Sequence, residues 1–182
     1  MEFNNFIDDE NLERVKVLTL IVIQPPALSA VVLQPESEQA NPGGKSRVVP
    51  IWVGPVEARA LRSALDTLRY TRPTTHDLLL ETLTSLDAFV DYVVIRDVKG
   101  STFYADLVLN QHGRLICIDS RPSDALTLAI RQHASIFMAK PVLESSSFPY
   151  IFKNPKHMEE EIDEFRDFLK DLNPEDFTDN NA

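Results

Sequence analysis

The sequence predicts an α+β fold: internally duplicated β-β-β-α units with mostly antiparallel sheets sharing one core, plus connecting and C-terminal helices. Three observations predict it. Strand-length runs rich in Val, Ile and Leu come in threes, and a helical pattern follows each trio. Inside the second trio, Lys99-Gly100 and Gln111-His112-Gly113 are turns of hairpin length, so neighbouring strands run antiparallel. Both helical patterns open on Pro-x-acid-Ala, once as Pro55-Val56-Glu57-Ala58 and once as Pro122-Ser123-Asp124-Ala125.

In chain order, residues 14–23 read as the first strand, closed by Gln24-Pro25-Pro26, and 28–33 as its return. Residues 34–46 read as a polar hairpin connection with Pro42-Gly43-Gly44 as its turn. Residues 47–53 are the third strand. Gly54-Pro55 then starts a helix whose apolar stripe is Val56, Ala60, Leu61, Ala64, Leu65 and Leu68, with an Arg62–Asp66 pair on its polar side. Thr74 with Asp77 three residues on reads as a capping box for a helix carrying Leu78, Leu79, Leu80, Leu83 and Leu86. Strands follow at 87–97, 102–110 and 114–119. A helix spans 122–133, and Ile136-Phe137-Met138 is a short strand. Ile162, Phe165, Leu169 and Leu172 place an apolar stripe on an acidic C-terminal helix. The organisation is therefore an acidic segment 1–13, a domain 14–145 and an acidic helical tail 146–182.

The chain of 182 residues carries a net charge of −10, which by itself argues against nucleic acid as a partner. The distribution weakens that objection. Residues 1–13 carry −5 and residues 156–182 carry −7, whereas 14–155 carry +2. A single cysteine, Cys117, excludes an internal disulfide and a cysteine-based zinc site, and reads as a small buried hydrophobe. His112, His133 and His157 lack ligand spacing with a second His or Cys. No apolar run reaches the roughly 20 residues that span a bilayer, so no membrane association is expected. Residues 1–10 lack the basic and apolar regions of a secretory signal, and a cytoplasmic location is the expectation.

One junction gathers polar groups. The apolar run 115–118 ends in Asp119, and a helix begins within four residues, bringing Arg121, Ser123 and Asp124 to its first turn. Unpaired N–H groups and the helix dipole make such a start attractive to anions. His76 and Asp77 stand at the start of the preceding helix.

The segments Val49-Pro50-Ile51-Trp52-Val53-Gly54, Arg72-Pro73-Thr74-Thr75-His76-Asp77-Leu78, Thr102-Phe103-Tyr104-Ala105 and Asp119-Ser120-Arg121-Pro122-Ser123-Asp124-Ala125 occur in this order. Together they resemble the bifunctional nuclease domain family over about residues 14–145. The Phe-x-x-Phe-Leu and Asn-Pro-Glu-Asp-Phe elements of the tail resemble those of actinobacterial members. The resemblance implies an α+β fold with an internal duplication, cleavage of DNA and RNA, and a homo-oligomer, a dimer or larger.

Phosphodiester cleavage needs an activated water, charge neutralisation at the phosphate and help for the leaving group. Asp119, Asp124 and Glu57 are the candidate ligands of Mg²⁺ or another divalent cation; no organic cofactor is expected. Arg121 is the candidate phosphate clamp and Ser123 an added donor. His76 is the candidate general acid or base, and Asp77 orients it or joins the metal shell. Each role has a plain alternative. Asp124 and Glu57 also suit a helix dipole, Ser120 or Ser123 a cap, and Arg121 a salt bridge to Asp119. The leading reading is a metal-assisted nuclease of little sequence specificity. The alternative is a non-catalytic oligomeric module that binds a small anion, a nucleotide or a protein partner.

Overall fold

Strand-period runs of β-branched residues build eight strands, which join in one sheet. The computed structural model describes residues 11–22, 28–38 and 45–151. The chain runs through β1 (Leu12–Ile21), β2 (Ser29–Pro35), β3 (Lys45–Val53), α1 (Pro55–Leu65), α2 (Thr75–Ser85), β4 (Ala88–Lys99), β5 (Thr102–Gln111), β6 (Arg114–Ser120), α3 (Pro122–Gln132), β7 (Ser135–Ala139), α4 (Lys140–Ser146) and β8 (Phe148–Ile151). The order strand-strand-strand-helix thus occurs twice, as β1-β2-β3-α1 and as β4-β5-β6-α3.

Each strand trio is an antiparallel meander. The sheet order is β6-β5-β4-β7-β1-β2-β3-β8. β7 joins the two meanders. It lies parallel to β4, with Val93 opposite Ile136, and antiparallel to β1, with Arg14 opposite Phe137. The two trios therefore share a single sheet, finer than the plural sheets expected from sequence.

Pleat alternation gives the sheet two unlike faces. Leu20, Val31, Leu33, Val93, Ile95, Leu107 and Leu109 point to the face that packs on the helices, together with Leu61, Leu126, Leu128 and Leu143. Their neighbours along the strands, such as Ile21, Ala30 and Val32, or Tyr92, Val94 and Val108, form two smaller clusters on the opposite face. Among the described residues, no helix is long and apolar enough to cross a membrane.

Several boundaries differ from the sequence reading. β1 starts at Leu12, inside the segment assigned to the acidic N-terminus, because Leu12 to Val15 pair with β7. Gln34, Pro35, Lys45 and Ser46 belong to strands rather than to the connecting loop, and Gln34 Nε2 donates to Ser46 Oγ at 2.7 Å. α1 buries Ala58, Leu61, Ser63 and Ala64, while Val56 is 76% exposed, so the stripe is rotated from the expected one. The helix ends at Leu65, which leaves Leu68 beyond it. α4 and β8 have no counterpart in the sequence reading, and β8, which falls in the expected tail 146–182, pairs with β3. The expected turn at 42–44, the break at 24–26 and the stripe at Ile162, Phe165, Leu169 and Leu172 lie outside the described residues.

Candidate functional site

α1, α2 and α3 each carry a carboxylate at their third position: Glu57, Asp77 and Asp124. Negative charge there complements the unpaired N–H groups and the dipole. The three starts are otherwise built differently. α2 has a side-chain cap, with Asp77 Oδ2 accepting from the Thr74 backbone N at 2.8 Å and from Thr74 Oγ1 at 2.7 Å. Gly54 and Arg121 cap α1 and α3 without a side-chain cap bond. At Gly54 a Cβ would stand 2.5 Å from Glu57 Oε2, so a missing side chain lets that carboxylate fold back over the helix start.

Arg121 joins two of these starts. Its Nε donates to Asp124 Oδ2 at 2.8 Å, and its Nη1 donates to Glu57 Oε1 at 2.9 Å. The second oxygen of Asp124 meets the third start, with His76 Nε2 at 3.2 Å from Oδ1. A connected chain, Glu57 to Arg121 to Asp124 to His76, therefore links α1, α3 and α2. The Arg121 side chain is 66% exposed and that of His76 only 18%, so the cation faces solvent while the imidazole is held. The hydrogen bond and charge of Asp124, with Glu57 behind it, push the Arg121 guanidinium further above its usual range.

Asp77 points elsewhere. Its Oδ1 accepts from Arg131 Nη1 at 2.9 Å, and Arg131 Nη2 donates to Ser63 Oγ at 3.0 Å. Burial works to raise the Asp77 carboxyl, but the two Thr74 hydrogen bonds and the Arg131 charge outweigh it and hold the group below the usual carboxylate range. The hydrogen-bond partner of His76 is thus Asp124, and Asp77 instead ties α2 to α3.

Asp119 is not part of this chain. It accepts from Arg96 Nη2 at 2.6 Å, while Arg96 Nε donates to Asp106 Oδ1 at 2.7 Å. Asp106 lies between Ala105 and Leu107, both in the main core, so this trio occupies the face turned away from the helices. The expected alternative of an Arg121–Asp119 bridge gives way to Arg121 with Asp124 and Glu57. Ser123 is only 7% exposed, and its backbone carbonyl accepts from Thr127 Oγ1 at 2.7 Å. Ser120 Oγ donates to the Ala105 carbonyl at 3.3 Å rather than capping α3.

The divalent-cation expectation meets a poor fit. Asp119 diverges from Asp124 and Glu57, and both of those already bind Arg121. Among the described residues, no group of three or more His, Cys, Asp or Glu is placed to hold a metal ion. Cys117 packs beside Tyr92, Val94 and Val108. Burial, helped by the charge of Asp106, pushes its thiol up.

Sequence reasoning missed Arg131, Arg96 and Ser63. Each is joined to its partner over a long sequence separation or across the sheet, and no local pattern marks such pairs.

Against known proteins, the description "Bifunctional nuclease domain" matches residues 31–150. Two Mycobacterium tuberculosis proteins, described as uncharacterized proteins MT1877 and Rv1829, are each 30% identical over 168 residues, covering 90% of this chain and 96% of theirs.

Proposed function

The chain belongs to the bifunctional nuclease domain family, and on that premise we propose that it hydrolyses DNA and RNA phosphodiester bonds with little sequence preference. The observation that carries the reading is the link from His76 through Asp124 to the exposed Arg121 at three helix starts.

In this reading Asp124 takes the Nε2–H of His76 and leaves Nδ1 as the proton acceptor. A water is deprotonated by Nδ1 as its oxygen attacks phosphorus. The bond from phosphorus to the leaving sugar oxygen breaks, and the proton on Nδ1 passes to that oxygen. Asp124 stabilises the imidazolium between the two transfers, as a carboxylate does in a His-Asp pair. Arg121 and the helix starts meet the charge that builds on the non-bridging oxygens. Glu57 keeps the guanidinium in place between α1 and α3. Asp119, paired with Arg96 on the far face, and the buried Ser123 take no step in this scheme. Because Asp119, Asp124 and Glu57 do not converge as a ligand set, no step is routed through a divalent cation. A cytoplasmic location and assembly into a homo-oligomer accompany the proposal.

The test is cleavage of single- and double-stranded DNA and of RNA by the purified full chain, with Mg²⁺ and with EDTA. His76→Ala is expected to lower the rate roughly 10²–10⁴-fold, the usual worth of general acid–base catalysis. Arg121→Ala is expected to cost about 10²-fold or more through lost charge stabilisation. Asp119→Ala is expected to stay close to the parent. Full activity in both His76→Ala and Arg121→Ala would overturn the assignment.

One observation favours the non-catalytic alternative: both donor edges of Arg121 in use are already taken by carboxylates. On that reading the junction is a lock between helices. Saturable nucleic-acid binding without turnover, with and without divalent cations, would decide for it.

A further inference from the structure

A cavity of about 490 Å³ lies where the end of α1, the segment after it, α2 and the end of α3 meet. Its size suits a small planar ligand or one unstacked base. Leu68, Leu80 and Ile130 supply apolar wall, while Glu81 and Arg131 supply polar groups at its edge. Asp77 and Ser63 hold the two terminal nitrogens of Arg131 and fix it as a wall, while its buried Nε has no hydrogen-bond partner among the described residues.

The lip of this cavity has a separate character. It carries Arg69 and Tyr70, and Tyr70 is 52% exposed. Arg72 follows two residues later and is exposed. Among the described residues, neither Arg69 nor Arg72 forms an ion pair, although the chain as a whole is strongly acidic. Cations with an exposed aromatic between them are what a nucleic-acid strand engages, phosphates on the cations and a base face on the ring.

The cavity also adjoins the candidate catalytic junction. Asp77 lines it, and His76, the preceding residue, turns to Asp124.

We propose that this cavity is the base subsite of a single-stranded nucleic acid. One unstacked base enters against Tyr70 with its amino edge toward Glu81, and Arg69 and Arg72 hold the flanking phosphates. A paired, stacked base cannot enter without leaving the duplex, so the subsite selects single strands. The inference rests on the nuclease reading for the role of the adjacent junction, and its own content is binding.

The test is fluorescence anisotropy of a short fluorescein-labelled oligodeoxyadenylate with the full chain carrying His76→Ala, so that the strand is not consumed. The same strand annealed to its complement serves as the duplex probe, and adenosine monophosphate as competitor. Expected are tighter binding of the single strand than of the duplex and a loss of about fivefold or more in Tyr70→Ala, the worth of one stacked base. Arg69→Ala is expected to reduce the slope of log affinity against log salt by about 0.7, one phosphate contact on a single strand. Leu80→Trp, which fills the cavity, gives a second route to the same loss. Competition by adenosine monophosphate that Tyr70→Ala abolishes supports the base subsite; competition unchanged in Tyr70→Ala overturns it. No saturable strand binding, equal affinity for duplex and single strand, or parent-like affinity in both Tyr70→Ala and Leu80→Trp would overturn the subsite. Cleavage by the chain with His76 intact is scored separately. Turnover with cavity variants that bind normally sinks the subsite alone, and cavity-dependent binding without turnover sinks the nuclease reading alone.

Discussion

At the residue scale, partner choice decides what each polar group can do. Asp124 divides its two oxygens between Arg121 and His76, whereas Asp77, of the same type and helix position as Asp124, is committed to Thr74 and Arg131. The Asp77 carboxyl titrates below its usual range when folded. Its ionisation therefore favours the folded state fully above the unfolded carboxyl pKa of about 3.9, and this contribution disappears as pH falls through the lower folded value. Acid unfolding followed by circular dichroism should show this in the parent and lack that portion of the loss in Asp77→Asn. Identical acid profiles would sink the assignment. Cys117 gives a second test. Its thiol is pushed up by burial beside Tyr92 and Asp106, so little thiolate is present at neutral pH. Iodoacetamide should label it far more slowly in the folded chain than after denaturation, and equal rates would contradict its packed position.

At the element scale, α2 is unlike its neighbours. It has no fully buried residue, and its Leu78 and Leu79 are exposed, while α3 buries seven. Leu80 and Leu83 pack on the main core only partly buried, so the capping box and the Asp77–Arg131 pair add to the placement of α2. Thr74→Ala should then cost about 1 kcal/mol, seen as a fall of roughly 2–4 °C in Tm for a chain of this size. The box was legible in the sequence because its signal is local: Thr and Asp three residues apart. The same holds for the Arg62–Asp66 pair and for Pro at the start of α1 and α3. The Val56 stripe was misread because helical period fixes spacing and leaves the buried phase to the packing against the sheet.

At the scale of the whole molecule, β7 is the critical strand. It joins the two meanders, and its Met138 has no exposed surface. Met138→Ala should destabilise the protein by about 2–5 kcal/mol, measured by denaturant unfolding, with both halves of the sheet losing structure together. Two separate transitions would mean that the meanders fold independently and that β7 does not couple them.

The sequence by itself determined the α+β class, the twice-used order of three strands and a helix, the family, and the residue types gathered at the helix starts. Those features are written in local periodicity, turn residues and capping positions, which act over a few residues. Only the tertiary structure decided which of those residues meet. The pleat sends Asp119 to the far face with Arg96 and Asp106, one residue out of phase with the helix side. Packing of α1, α2 and α3 brings Glu57, Arg121, Asp124 and His76 into one chain and leaves Asp77 facing Arg131 and the cavity. Partners separated by 48 or 64 residues are chosen by how helices dock, and no spacing along the chain encodes that choice.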